Sequence, residues 1–310
     1  MGLTDNSGEK SLGRLGPVGR GGPIIVEHLP KPKNSAGRDL PTAIGVGVFL
    51  GAVVIACLWI GPIAWFPLLS VAGLLAMWET MARMRENSIA LPRWVMLVLG
   101  QLIIWVSWPY GAKGTLGAIA FSAVTVMFAR LFHHGRTSTP QNYMRDTAIG
   151  IFVLAWIPLC LAFAGMLILF EHSGVSGGFY VATFMLCVVA SDIGGYAAGV
   201  MFGSHPMAPA ISPHKSWEGA AGSMIAGIIM GVLTTLFLID DPHWSTGIVL
   251  GAVLVVCAIL GDLVESQVKR DLHIKDMSHL LPGHGGLMDR IDGMLPSAAM
   301  SWIVLSALGS

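Results

Sequence analysis

Residues 246–270 read TGIVLGAVLVVCAILGDLVESQVKR. No residue from Thr246 to Gly261 carries a charge, and then Asp262, Glu265, Lys269 and Arg270 follow within nine positions. A helix needs about 20 apolar residues to cross a ~30 Å hydrocarbon core, and residues 246–264 supply that length. In lipid only a helix or a closed barrel satisfies its own backbone, and the strict alternation of a barrel strand is missing here. The stretch predicts a transmembrane helix whose far end brings carboxylates and cations out of the apolar zone.

Further apolar stretches recur from Thr42 onward, at 43–60, 62–82, 94–109, 115–131, 148–170, 178–203, 219–239 and 294–309. Together with 246–264 they predict an all-α polytopic membrane protein of about nine transmembrane helices. Gly61-Pro62 separates the first two spans, and Asp240-Asp241-Pro242 separates the seventh from the eighth. Composition agrees: the 310 residues are 54% hydrophobic and 12% charged, with mean hydropathy +0.70. A water-soluble domain carries about 25% charge, so an ordinary soluble enzyme is excluded.

Residues 1–41 are different, being rich in Gly, Pro and Ser and holding Lys10, Arg14, Arg20, Lys31, Lys33 and Arg38. They bury too little apolar surface to offset ordering entropy and are expected to form a flexible basic cytoplasmic tail. Residues 42–175 then form an N-terminal set of membrane helices, and 176–310 a C-terminal set that carries the chemistry-bearing loops. There is no early apolar segment with a cleavage site, and position six lacks the Ser or Thr of a myristoylated N-terminus, so neither a removable signal nor a lipid anchor is expected.

Basic and acidic residues number 18 each and the formal net charge is zero, which removes any general affinity for nucleic acid. Their placement is informative, because Lys and Arg are retained on the cytoplasmic side. With the tail inside, 17 of the 18 basic residues fall on inside segments and only Lys113 lies outside. This predicts an N-terminus inside and a C-terminus outside. Short loops and the missing targeting segment point to a bacterial inner (plasma) membrane. Trp59, Trp94, Trp108, Trp217 and Trp244, near span ends, fit an interfacial belt. Cys57, Cys160, Cys187 and Cys257 sit in apolar runs without ligand spacing and read as reduced structural side chains.

Two inside loops concentrate polar residues: 202–219, FGSHPMAPAISPHKSWEG, and 261–292, GDLVESQVKRDLHIKDMSHLLPGHGGLMDRID. Asp192 joins them from within the sixth span, followed by Gly194 and Gly195, where backbone can approach a ligand. A carboxylate inside a membrane is costly and is expected to be functional. Glu79 reads instead as the helical partner of Arg83, four residues on.

If the eighth helix continues past the membrane surface, Asp262, Ser266 and Lys269 at i, i+4 and i+7 share one face. Asp289 and Asp292, three apart with Arg290 between them, can do the same. Such oxygen ligands suit Mg²⁺, whereas Zn²⁺ would want His and Cys at tetrahedral spacing. Lys269, Arg270 and Lys275 can neutralise phosphate, and the glycines around His284 allow a tight loop whose N–H groups face an anion. His28, His133, His134, His172 and His243 read as solvated, while His205, His214, His273 and His279 lie near the loops without ligand spacing.

The stretch 266–292, SQVKRDLHIKDMSHLLPGHGGLMDRID, resembles the signature of the phosphatidate cytidylyltransferases, with S-x-x-K-R, a following K-D, H-G-G and D-R-x-D at these spacings. The segment 191–219, with SDIGGY, GVMFG and SPHKSWEG, is similar to the second block of that family, and the nine-span layout agrees. The resemblance is strong over roughly the last 120 residues and rests on hydropathy alone before them. Ser204 stands where a lysine is often expected, and His214 where many relatives carry a second basic residue. These departures bear on phosphate contacts and not on the reaction.

The resemblance implies that CTP and phosphatidate give CDP-diacylglycerol and pyrophosphate, with Mg²⁺ and compatibly with a monovalent cation beside it. It makes Asp262 and Asp289 the metal ligands, and Lys269, Arg270, Lys275 and Arg290 the phosphate-neutralising cations, with Ser266 donating a hydrogen bond. It places Lys215, Ser216 and Glu218 on an opposite wall, Asp192 at a membrane-embedded floor, and Asp276, His284, Gly285, Gly286 and Asp292 around the substrates. The partners are then CTP, phosphatidate and the bilayer, and a homo-oligomer is compatible with the sequence. Two other readings stay open, a CTP-dependent lipid kinase acting on a polyprenol-type alcohol and a transporter, together with a non-enzymatic membrane scaffold.

Overall fold

The computed structural model describes residues 40–132, 141–170, 174–239, 243–281 and 285–308. The tail, His133, His134, His172, the Asp240–Pro242 turn and His284 lie outside the described residues. In chain order the elements are α1 (Leu40–Ile60), α2 (Pro62–Glu86), α3 (Arg93–Phe132), α4 (Tyr143–Trp156), α5 (Pro158–Leu167) and α6 (Gly177–Phe202). A short hairpin of β1 (Pro206–Ala208) and β2 (Ser212–Ser216) follows, then α7 (Trp217–Phe237), α8 (Trp244–Asp271), α9 (Met288–Ile291) and α10 (Met294–Leu308).

Among the described residues seven helical segments are long and apolar enough to cross a membrane: α2, α3, α4–α5, α6, α7, α8 and α9–α10. A shorter apolar helix, Ile44–Ile60, precedes them. The third and fourth predicted spans form one 40-residue helical segment, broken at Gly111, where φ is 55° and ψ is −145°. At ~1.5 Å per residue such a segment is about twice the thickness of a bilayer core. Pro109, which removes a backbone donor and crowds the preceding turn, sits beside the break and is its local cause.

The structure departs from an all-α chain in the first polar loop. Pro206, Pro209 and Pro213 deny that segment a helix, and β1 and β2 pair antiparallel with Pro206 opposite Ser216 and Ala208 opposite Ser212. The eighth helix does continue to Asp271, as the shared face of Asp262, Ser266 and Lys269 requires.

The first half packs around large side chains. Phe66, Met77, Ile103, Ile104, Leu154 and Ile157 are fully buried, and the Trp65 indole donates to the Ala164 carbonyl at 3.0 Å. Arg130 and Asp146 form a buried ion pair at 2.7 Å, and Asp146 also accepts from Arg145 and from the Ala90 N–H. That network ties the end of α3, the start of α4 and the α2–α3 connection together.

The second half packs through small residues. Small residues recur every four positions at Gly195 and Gly199 on α6, with Gly203 at its C-terminal cap, and at Gly219, Ser223, Gly227 and Gly231 on α7. Backbones touch along these stripes: a methyl group on Gly219 would lie 3.1 Å from the Gly195 carbonyl oxygen, and one on Gly251 2.5 Å from that of Gly227. In lipid, where apolar burial between helices gives little drive, such close van der Waals approach supplies the association. On α8, a methyl on Gly261 would strike the Asp292 carbonyl at 2.6 Å, so this glycine is what lets α8 and the start of α10 meet.

Candidate active site

α8 presents its polar stripe at the end where α9 and α10 begin. The Ser266 hydroxyl donates to Asp262 at 3.3 Å, and Lys269 pairs with Glu265 one turn back. Asp262 is also paired with Lys215 of β2 at 2.5 Å, and the Lys215 ammonium reaches the Ile259 carbonyl at 3.4 Å. Asp289 receives Lys269 at 3.0 Å. One ammonium therefore holds α8 to α9.

Two cavities flank Asp262 and share Asp192, Ala258 and Asp262 in their walls. The first, about 280 Å³, lies between α6, the hairpin, α7 and α8, with Tyr196, His214, Lys215 and Ser216 among its lining residues. The second, about 240 Å³, is lined by Glu265, Lys269, Asp289, Arg290 and Asp292 together with the shared residues. Over both cavities five carboxylates face three cations: Asp192, Asp262, Glu265, Asp289 and Asp292 against Lys215, Lys269 and Arg290. Crowded carboxylates with a deficit of positive charge are unfavourable by themselves and suit a divalent cation.

Asp262, Glu265 and Asp292 each offer an oxygen, and these oxygens lie within 4.8 Å of one another. Glu265 is 1% exposed, and among the described residues no hydroxyl or backbone N–H donates to it. Hard oxygen donors at this separation, one of them buried and lacking neutral donors, fit Mg²⁺. Asp289 is not in that group of three. Its oxygens already accept from Lys269 at 3.0 Å, the Gly286 N–H at 2.9 Å and the Met277 N–H at 3.0 Å.

Glu79 is where the expectation from helical spacing fails. Arg83 turns away from it, donating to the Met277 carbonyl at 2.7 Å and pairing with Glu86 at 2.9 Å. Glu79, 6% exposed, instead accepts from the Ser278 hydroxyl at 2.6 Å, the Leu287 N–H at 3.2 Å and the Met288 N–H at 3.1 Å. An exposed i,i+4 pair is worth only a few tenths of a kcal/mol, far less than a buried carboxylate gains from several donors. The glycine loop does turn successive N–H groups, from Gly286 to Met288, toward anions; in this structure the anions are the carboxylates of Asp289 and Glu79. Gly285 has φ +88°, and a methyl on Gly286 would lie 2.9 Å from Asp289 and 3.0 Å from Glu79.

The other expected residues fall into separate places. Ser216 lines the first cavity and caps α7, accepting from the Gly219 N–H at 3.1 Å. Glu218 lines neither cavity and binds His205, with 2.6 Å to its ring nitrogen. Arg270 also lies outside both cavities and donates to the Ile211 carbonyl at 3.2 Å, fastening the hairpin to α8. Lys275 is exposed and Asp276 half-buried, and neither lines a cavity. Glu265 was not among the expected site residues, although its position, three residues after Asp262 and four before Lys269, puts it on their stripe. No spacing rule could have found Glu79, whose partners lie about 200 residues away.

An acidic cleft beside ammonium and guanidinium groups, in a chain whose helices are long and apolar enough to cross a membrane, is equipment for group transfer between phosphates. Comparison with known proteins gives the family: the pattern described as the cytidylyltransferase family matches residues 41–308, and the chain belongs to that family. It is similar to a protein of Mycobacterium bovis (strain ATCC BAA-935 / AF2122/97) named phosphatidate cytidylyltransferase, with 47% identity over 281 residues, 88% of this chain and 90% of the relative. Proteins of the same name from Mycobacterium leprae (strain TN) and Brucella suis biovar 1 (strain 1330) are 44% and 30% identical, covering 88% and 86% of this chain and 89% and 93% of their own lengths.

Proposed function

We propose that this protein transfers the cytidylyl group of CTP to phosphatidate, giving CDP-diacylglycerol and pyrophosphate. The observation that carries the reading is the cleft around Asp262, where five carboxylates face three cations at the end of a lipid-compatible bundle. The family and the names of its relatives support the choice of nucleotide and lipid.

A phosphatidate oxygen attacks the α-phosphorus of CTP, the bond to the β-phosphate oxygen breaks, and pyrophosphate leaves with that electron pair. The nucleophile is a phosphate monoester already largely ionised near pH 7, so positioning and charge neutralisation are the main tasks. Asp262, Glu265 and Asp292 would hold Mg²⁺, which when bound neutralises phosphate charge that would otherwise repel the nucleophile. Asp289, a metal ligand by resemblance, lines the same cavity and orients Lys269 toward the phosphates. Lys215 and Arg290 neutralise charge from opposite sides, Ser266 steadies Asp262, and Asp192 forms the inner floor. Arg270 holds the hairpin against α8.

The same reading assigns nine crossings, with α3 counted as two spans around Gly111 and with α1 included. The basic-residue count favours a cytoplasmic cleft in a bacterial plasma membrane, where CTP is available. The helices from α6 onward carry most of the cleft, in keeping with a division near residue 176.

The test uses purified protein in detergent with phosphatidate, α-labelled CTP and Mg²⁺, following label into the lipid phase. The wild type moves label, chelation stops it, and Asp262→Ala, Glu265→Gln and Asp289→Ala each lower the rate by about 10²-fold or more. Labelled CDP without labelled lipid would overturn the reading in favour of transfer from the γ-position.

A further inference from the structure

A cavity of about 520 Å³ lies away from the cleft, between the end of α2 and the start of α3, with Met81, Arg85, Leu91, Arg93 and Trp94 among its lining residues. Its charge is opposite in sign to that of the cleft: among the described residues two guanidinium groups and no carboxylate line it. Arg85 is exposed and makes no ion pair among the described residues. Arg93 lies over the Trp78 ring, 4.2 Å from its centroid, and Trp78 in turn contacts Trp94 at 5.9 Å. Stacking engages the face of a guanidinium and leaves its N–H edge available to an anion. Two cations without carboxylate partners among the described residues make this a place for an anion that needs no metal.

An apolar strip leads from that cationic end. Val71, Leu75 and Trp78 on α2 and Trp94, Val98 and Trp105 on α3 are all exposed. Positions 71, 75, 78 and 85 fall on one stripe of α2, so Arg85 continues the line of the exposed apolar side chains. The two helices are adjacent and antiparallel along this line, with Gln101 donating to the Ser70 carbonyl at 3.2 Å at one end and Arg93 on Trp78 at the other. A charged pocket that opens onto a run of exposed apolar and aromatic side chains matches a phosphate headgroup with its acyl chains. A free phosphate would use only the pocket.

We propose that this cavity binds the headgroup of an anionic phospholipid of the bilayer, with its chains along the exposed face of α2 and α3. The site is separate from the cleft and does not rest on the reaction assigned above. It is nevertheless built on the helix that supports the cleft: two residues before Arg85, Arg83 donates to the Met277 carbonyl, and two residues after it Asn87 donates to that of Leu272 at 3.1 Å.

Trp94 supplies the probe. Full-length protein is placed in nanodiscs of phosphatidylcholine containing equal mole fractions of either bromoacyl phosphatidylglycerol or bromoacyl phosphatidylcholine. The quenching of Trp94 is read as the difference between wild type and Trp94→Phe. The anionic quencher is expected to act more strongly, and Arg85→Gln to lower its excess by about fivefold, the worth of one basic residue at a lipid surface. Arg85→Lys should retain the excess. Among the described residues Arg85 has no side-chain partner to leave unsatisfied, so this variant tests binding and not folding. Equal quenching by the two lipids, or an excess unchanged in Arg85→Gln/Arg93→Gln, overturns the proposal. Loss of the excess on adding inorganic phosphate at constant ionic strength overturns the lipid assignment and leaves a site for free phosphate.

Discussion

Glu79 shows how one side chain can set a site it does not enter. Its carboxylate takes three donors from the loop that leads into α9, and Asp289 on α9 in turn holds Lys269. Glu79→Ala leaves those N–H groups without acceptors, at a cost of about 1–3 kcal/mol for each one that stays buried, and frees the loop. The expected outcome is a transfer rate at least about tenfold lower with a raised Mg²⁺ requirement, and faster tryptic cleavage at the exposed Lys275. Glu79→Gln keeps an acceptor and should recover most of both. Cleavage at the wild-type rate in Glu79→Ala would remove the positioning role whatever the activity. Glu265 belongs to the same argument, because its place on the Asp262–Lys269 stripe can be read from spacing, while its proximity to Asp292 cannot.

α8 does two jobs because its composition changes along its length. From Gly247 to Gly261 it packs by small residues against α7 and α10, and from Asp262 onward it lines the cleft. Disturbing the packing half should therefore disturb the chemical half. Gly251→Val would drive a side chain into the Gly227 carbonyl and the Ile228 Cα, at 2.5 and 2.8 Å already for a methyl. Overpacking of this kind costs about 1–3 kcal/mol, so the midpoint of thermal unfolding in detergent should fall, with transfer activity falling alongside it. Gly117→Ala on α3 is the control: among the described residues nothing lies within 4 Å of the added methyl, and helix propensity favours alanine. Its midpoint should hold or rise. A Gly251→Val midpoint equal to wild type would show that the contact yields without cost.

Among the described residues, charge sorts by pocket. The cleft gathers carboxylates for a cation, and the α2–α3 cavity gathers guanidinium groups for an anion. The proposed topology puts Lys113 on one side of the membrane and Lys275 on the other. In a background lacking the four native cysteines, Lys113→Cys should react with an impermeant thiol reagent from outside intact cells. Lys275→Cys should react only after the membrane is opened. Labelling of both from the same side would remove the assigned orientation and the cytoplasmic cleft with it.

Much of the molecule was legible in its sequence, because hydropathy over about 20 residues and helical spacing are local properties of the chain. The apolar spans, the two polar loops and the stripe Asp262, Ser266 and Lys269 were readable that way, whereas the family was read from the resemblance of the motifs in residues 266–292. The break in α3 was foreshadowed by Pro109 and Gly111, although the continuity of the two spans across it was not. What the tertiary structure decided are the contacts between segments that no spacing relates. These include the approach of Asp292 to Asp262 and Glu265 through Gly261, the capture of the glycine loop by Glu79, and the hairpin held to α8 by Arg270. A helix pattern says which side chains share a face, but which faces meet depends on the packing of the whole bundle.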